Sequence, residues 1–208
     1  MIDPAVLLTY VLIVLGFVFI PGPATLLTVA RATGSGTKVG IATGAGVAAG
    51  DLIHTFMAVV GLSAVIATSA VLFSFIKYAG AAYLIYLGIC AFLERSETRL
   101  ADATPSISAA RAFRQAIVTE LLNPKTALFF LAFLPQFVEP ENGSLALQLT
   151  AFGVIFVLLG LFSTVVFAVC AGGLGNFLRR NPAVVKWQGR AVGSVYCALG
   201  VRLALQER

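Results

Sequence analysis

Residues 39–76 read VGIATGAGVAAGDLIHTFMAVVGLSAVIATSAVLFSFI, an apolar run with one acid, Asp51, and one histidine, His54. A helix crossing a bilayer core needs roughly 20 mostly apolar residues. The run therefore predicts two crossings, at about 39–64 and 70–93, with a turn near Ala67-Thr68-Ser69-Ala70. The same reading extends outward in both directions. Residues 4–30 carry no charge and predict a helix over about 5–29, with Gly34-Ser35-Gly36 as a loop. Residues 94–111 form the longest polar segment. A fourth helix is expected over about 112–137, a turn at Pro140-Glu141-Asn142-Gly143, and a fifth helix over about 145–171, ended by Gly172-Gly173. The sixth, over about 188–205, carries Arg190 and Arg202 near its ends, where they must snorkel; an interfacial helix competes with a crossing there. The expected fold is all-α: one polytopic transmembrane domain over residues 1–208 with six membrane helices.

Composition excludes the soluble classes. Of 208 residues, 59% are hydrophobic and 11% charged, against about 25% charged in a soluble domain. So few polar groups cover a surface only if lipid replaces water over much of it. The net charge of +5 does not point to nucleic acid, because the basic residues stand singly or in pairs between apolar runs and form no patch. Cys90, Cys170 and Cys197 are scattered without a CxxC and read as small apolar residues. With a single histidine and no HExxH or GxSxG, neither a metal centre, a cofactor nor an enzyme is expected. Ala30-Arg31-Ala32 loosely imitates a signal-peptidase site, but no Lys or Arg precedes the first apolar run, which is read as a retained helix.

Orientation follows the Lys/Arg bias. Loops on one side hold Arg31 and Lys38, then Arg95, Arg99, Arg111 and Arg114, then Arg179, Arg180, Lys186 and Arg190. The other side holds only Lys77, Arg202 and Arg208. The first side is expected to be cytoplasmic, and both termini then face outward, provided the sixth helix crosses. The chain also divides into two halves, about 1–93 and 112–208. Helix 3 carries Lys77-x-x-Gly80-x-x-Tyr83 and Gly88; helix 6 carries Arg190-x-x-Gly193-x-x-Tyr196 and Gly200. Helices 1 and 4 are each interrupted, by Pro21-Gly22-Pro23 and by Asn123-Pro124. Two three-helix halves enter the membrane from opposite sides, an inverted repeat of the kind found in secondary transporters.

The prolines define the chemistry. Each removes one helical hydrogen bond and frees the carbonyl four residues earlier: Phe17 for Pro21, Phe19 for Pro23 and Glu120 for Pro124. Lipid cannot satisfy such a carbonyl, so the breaks are expected to face protein or a water-filled cavity. Asp51 lies roughly 18 Å along its helix from Val39, near the middle of a core about 30 Å thick. An acid there costs at least about 2.5–3.5 kcal/mol. It binds a proton or a substrate ammonium, or else it pairs with Lys125 and locks two helices together. His54, one turn further, shares its face. Lys125 needs a carboxylate, from Asp51, Glu120 or a bound solute. Gly40, Gly44, Gly46 and Gly50 fit close helix packing, Phe129, Phe130, Phe133 and Phe137 packing or lipid contact, and Tyr83, Tyr86 and Tyr196 a cavity wall.

These residues resemble a known family. Pro21-Gly22-Pro23-Ala24, Gly50-Asp51-Leu52-Ile53-His54, the segment Gly80 to Gly88, and Phe113-Arg114-Gln115 followed by Leu122-Asn123-Pro124-Lys125-Thr126 are similar, in order, to motifs of the LysE/RhtB amino-acid exporters. The resemblance implies proton-driven export of an amino acid or close derivative across the bacterial inner membrane. It implies roles for Asp51 and Pro124. Glu120 departs from the pattern, because many members carry Asn there. A small-molecule substrate and the lipid bilayer are the implied partners, and a homodimer stays open. Lysine, homoserine, threonine and leucine all remain candidate solutes.

Overall fold

A computed structural model describes residues 2–20, 22–68, 70–93 and 106–180, with helical positions at 187, 190, 193, 194, 197, 198, 200, 201, 204 and 205. Residues 94–105, which hold most of the polar segment, Pro21, and the rest of the expected sixth helix lie outside the described residues. Among the described residues the chain is helical, without strands. Its helices are α1 Pro4–Phe19, α2 Pro23–Ser35, α3 Thr37–Thr68, α4 Ala70–Leu93, α5 Ala109–Leu121, α6 Pro124–Leu128 and α7 Leu145–Arg180. A π turn over Phe129–Phe133 and 3-10 turns over Leu134–Phe137 and Pro140–Asn142 follow α6.

Among the described residues two segments, Thr37–Gly61 of α3 and Leu145–Ala171 of α7, are long and apolar enough to cross a membrane. The first and fourth expected helices are each a bent pair. α1 and α2 meet at 52°, α5 and the segment Pro124–Phe137 at 48°, and counting each pair as one span gives four. Proline explains both bends, since it cannot donate to the preceding turn. Two expected boundaries need correction. The helix α2 includes Ser35, and the corner falls to Gly36 alone, whose φ of 93° suits glycine. Nor do Gly172-Gly173 stop the fifth helix, which continues to Arg180. A glycine inside a helix costs only about 1 kcal/mol, less than leaving backbone groups bare at a membrane.

Small residues set the distances between helices. A Cβ on Gly50 of α3 would lie 2.6 Å from the Glu120 Cβ of α5, and one on Gly46 would lie 2.8 Å from the Ala116 Cβ. α3 and α7 cross with a reciprocal register. Gly44 sits on Thr164, Thr55 sits on Gly153, and Asp51 lies opposite Gly160 between them. Gly44, Asp51 and Thr55 are spaced by seven and four residues, as are Gly153, Gly160 and Thr164. α4 meets the C-terminal helical positions the same way: a Cβ on Gly88 would come 2.8 Å from the Gly193 carbonyl oxygen, and the converse holds. A Cβ on Gly200 would come 2.8 Å from the Ala81 carbonyl oxygen.

The main core is aromatic. Tyr10 and Phe17 of α1, Phe129, Phe130, Phe133 and Phe137 after the second break, and Phe152 and Phe156 of α7 are all buried in one cluster. The four phenylalanines of the fourth expected helix therefore pack inward. The π turn carries Phe129, Phe130 and Phe133 to the inside. A second cluster, Val29, Ala32, Ala168 and Ala171, lies on the other side of Asp51.

Candidate functional site

The two helix breaks face each other, and side chains from elsewhere take up the carbonyls they expose. In the first break, Lys125 Nζ donates to the Phe17 and Ile20 carbonyl oxygens at 3.1 and 3.0 Å. Ser163 Oγ donates to the Val18 carbonyl at 2.8 Å. The Lys125 ammonium lies 4.3 Å from the centre of the Phe17 ring, a cation–π contact. Its stem crosses Gly22, where a Cβ would come 3.3 Å from Lys125 Cδ. In the second break, Asn123 caps α6 by accepting the Lys125 N–H at 3.1 Å. The Glu120 carbonyl accepts the Asn123 N–H at 3.0 Å and lies 3.0 Å from His54 Nε2. A carbonyl can only accept, so this contact assigns the imidazole proton to Nε2. The His54 ring stacks on Phe130 at 5.8 Å.

The two acids differ in their surroundings. Glu120 is buried, and its carboxylate accepts from Asn123 Nδ2 at 3.2 and 3.3 Å and from Thr126 Oγ1 at 2.5 Å. Asp51 is equally buried, but its Oδ1 has no hydrogen-bond partner among the described residues. A buried polar atom left so is costly and calls for an explanation. Asp51 also borders a cavity of about 50 Å³, large enough for a few waters, although Oδ1 itself is closed off from that space. Gly22, Ala24 and Thr25 form one wall, Glu120, Asn123, Lys125 and Thr126 another, and Phe156, Gly160 and Thr164 of α7 a third.

The structure thus brings Asp51, Glu120, Asn123, Lys125 and Gly22 together around one space. Pro23 and Pro124 are exposed on the outer surface of the bundle. Neither lines the cavity, and both act through the bends they impose. His54 is buried behind the wall and does not line it. Tyr86 is 58% exposed, so it is not a cavity residue; the side chains of Tyr83 and Tyr196 lie outside the described residues. Sequence reasoning passed over Thr25, Thr126, Gly160 and Thr164. The spacing shared by Asp51-x-x-x-Thr55 and Gly160-x-x-x-Thr164 was the signal available for the last two. Among the described residues no group of three or more His, Cys, Asp or Glu is placed to hold a metal ion.

Apolar helices of membrane length, two of them broken toward a shared cavity with a buried acid, are features common in membrane transporters with discontinuous helices. Comparison with known proteins gives the family. The chain belongs to the LysE type translocators, whose pattern it matches over residues 15–207. It is 29% identical over 202 residues to an uncharacterized membrane protein of Vibrio cholerae, covering 97% of this chain and 98% of that one. It is 32% identical over 184 residues to the homoserine/homoserine lactone efflux protein of Salmonella typhimurium, covering 88% of each. It is also 29% identical over 202 residues to the leucine efflux protein of Salmonella choleraesuis, covering 94% and 93%. No solved structure matches the chain. Family membership makes it a transporter and not an enzyme.

Proposed function

We propose that this chain is a secondary transporter that exports an amino acid or a close derivative across the bacterial inner membrane, coupled to protons. The observation that carries the reading is the buried Asp51 carboxylate, its Oδ1 unpaired among the described residues, beside a cavity between two helix breaks. Asp51 takes the coupled proton or the substrate ammonium. Lys125 stands across the same cavity and meets the substrate carboxylate, along with the backbone exposed at the breaks. Glu120, already held by Asn123 and Thr126, shapes the wall and sets the charge facing Asp51. The efflux proteins for homoserine and for leucine among the relatives support an amino-acid-like solute.

The same reading has six spans arranged as two inverted three-helix halves, with basic loops inside and both termini outside. Two reciprocal registers support the symmetry: Gly44 on Thr164 with Gly153 on Thr55, and Gly88 on Gly193 with Gly200 on Ala81. In that arrangement a two-fold axis near Asp51 and Gly160 would exchange the members of each pair, as in the inverted repeats of many secondary transporters. The test is counterflow in proteoliposomes with a panel of labelled amino acids, comparing wild type with Asp51→Asn. Flux of at least one solute is expected, with its pH-driven component abolished in the variant. PH-driven flux that persists unchanged in Asp51→Asn removes Asp51 from the mechanism, and absence of flux for every solute overturns the reading.

A further inference from the structure

In each break one carbonyl freed by a proline, Phe17 in the first and Glu120 in the second, meets a side chain from the other half of the chain. The Phe17 carbonyl, four residues before Pro21, accepts the Ile20 N–H and the Lys125 ammonium. The Glu120 carbonyl, four residues before Pro124, accepts the Asn123 N–H and meets His54 Nε2. The backbone arrangement is the same in both: one N–H from three residues on, and one donor from across the bundle. The two donors differ. Lys125 is half-buried, sits in the cavity wall and reaches its carbonyls through a flexible stem laid over Gly22. His54 is a rigid ring stacked on Phe130, away from the cavity.

We propose that the breaks are tied crosswise by two positioning residues, Lys125 holding the first and His54 the second, and that a carboxylate-bearing solute in the cavity draws Lys125 off the first break while the His54 tie stays fastened. This rests on the exporter reading for its solute, but the ties themselves do not. A solute carboxylate offers the ammonium a charge-assisted hydrogen bond, roughly twice as strong as a neutral one. Lys125 can therefore leave the Phe17 and Ile20 carbonyls without losing its compensation. The two carbonyls then lose the ammonium, and the hinge between α1 and α2 becomes the compliant part of the bundle. The second break has no such competitor, because His54 does not reach the cavity.

The experiment is hydrogen exchange followed by mass spectrometry on the full chain in lipid nanodiscs. Without solute, Lys125→Met is expected to speed exchange several-fold at amides 18–26 and little at 118–126. His54→Leu is expected to do the reverse. Lys125→Arg and His54→Gln, which keep a donor, are expected to restore most of the protection. Loosening of both breaks by either variant means that the residues merely support the fold and overturns crosswise tying, as does an unchanged first break in Lys125→Met. The second arm uses a solute that the flux assay shows to move, beside its carboxamide. The free acid is expected to loosen amides 18–26 in wild type and the amide is not. Equal responses to the two overturn the handover while leaving the exporter reading intact. If no solute moves, the exporter reading and the handover fall together, and the ties are judged on the first arm alone.

Discussion

Gly50→Ala is the most demanding test of how this bundle sets its site. The added Cβ would lie 2.6 Å from the Glu120 Cβ, 3.0 Å from its Cγ and 3.4 Å from the Ile117 carbonyl oxygen. Carbon atoms pack at about 3.5–4.0 Å, so the contact must open by about 1 Å. The Glu120 Cβ is fixed to the α5 backbone, and no rotamer change relieves the clash. Helices α3 and α5 must move apart, at an overpacking cost of about 1–3 kcal/mol. On the scale of a domain this size that lowers the melting temperature by about 2–12 °C. The same shift carries Glu120 away from Asp51, and a misplacement of about 1 Å in a working site costs on the order of 10²-fold in rate. Gly61→Ala is the control: it lies in the same helix with nothing within 4 Å of its Cβ, and alanine is favoured there by about 0.5–1 kcal/mol. Thermal unfolding of the purified protein and flux in proteoliposomes read both variants. If Gly50→Ala matches Gly61→Ala in melting temperature and flux, the α3–α5 approach does not position the acids and the reasoning fails.

Four further outcomes follow from particular contacts. Gly160→Ala sets a Cβ 3.3 Å from Asp51 Oδ2, and is expected to cut flux at least several-fold with little loss of melting temperature; equal flux would show that Asp51 does not need that space. Tyr10→Phe removes the hydroxyl that donates to the Phe152 carbonyl at 2.8 Å and should cost about 0.5–1.5 kcal/mol without altering solute preference in the same flux panel. Phe129→Ala hollows the aromatic cluster, in which Phe129 touches Tyr10, Phe17, Phe133 and Phe156; a loss of about 3–5 kcal/mol is expected by chemical denaturation in detergent. Glu120→Gln turns an acceptor into a partial donor facing Asn123 and Thr126; about 1–3 kcal/mol of stability is lost, and retention of full stability would mean that these hydrogen bonds carry no weight.

The sequence makes the breaks legible because proline acts locally: the missing N–H at 21 and 124 names the freed carbonyls at Phe17 and Glu120 before any fold is known. Asp51 is legible for the same kind of reason, since an acid in an apolar run is expensive wherever the run packs. What the sequence does not carry is partnership. It offers Asp51, Glu120 or a solute carboxylate to Lys125, and the lysine's hydrogen bonds instead reach main-chain carbonyls 105 and 108 residues away. It groups His54 with Asp51 by helical face, yet the imidazole turns to the second break. Gly172-Gly173 mislead as a stop because the weakness of glycine as a helix former is measured against water. Gly160 and Thr164 carry no charge or unusual chemistry, and only their common spacing with Asp51 and Thr55 sets them apart.

The clusters on the two sides of Asp51 are unequal, and the difference bears on how fast each end can unseal. Toward Leu145, opening must separate interlocked rings such as Tyr10, Phe137 and Phe152, whose centroids lie 4.6–6.1 Å apart; each pair adds about 0.5–1.5 kcal/mol beyond its buried area. Toward the basic loops, the cluster among the described residues is smaller and mostly of small side chains, Val29, Ala32, Ala168 and Ala171 with Phe167 packed against them. One door is heavy and the other light. On the exporter reading proposed above, the aromatic end is therefore expected to open more slowly than the end near the basic loops.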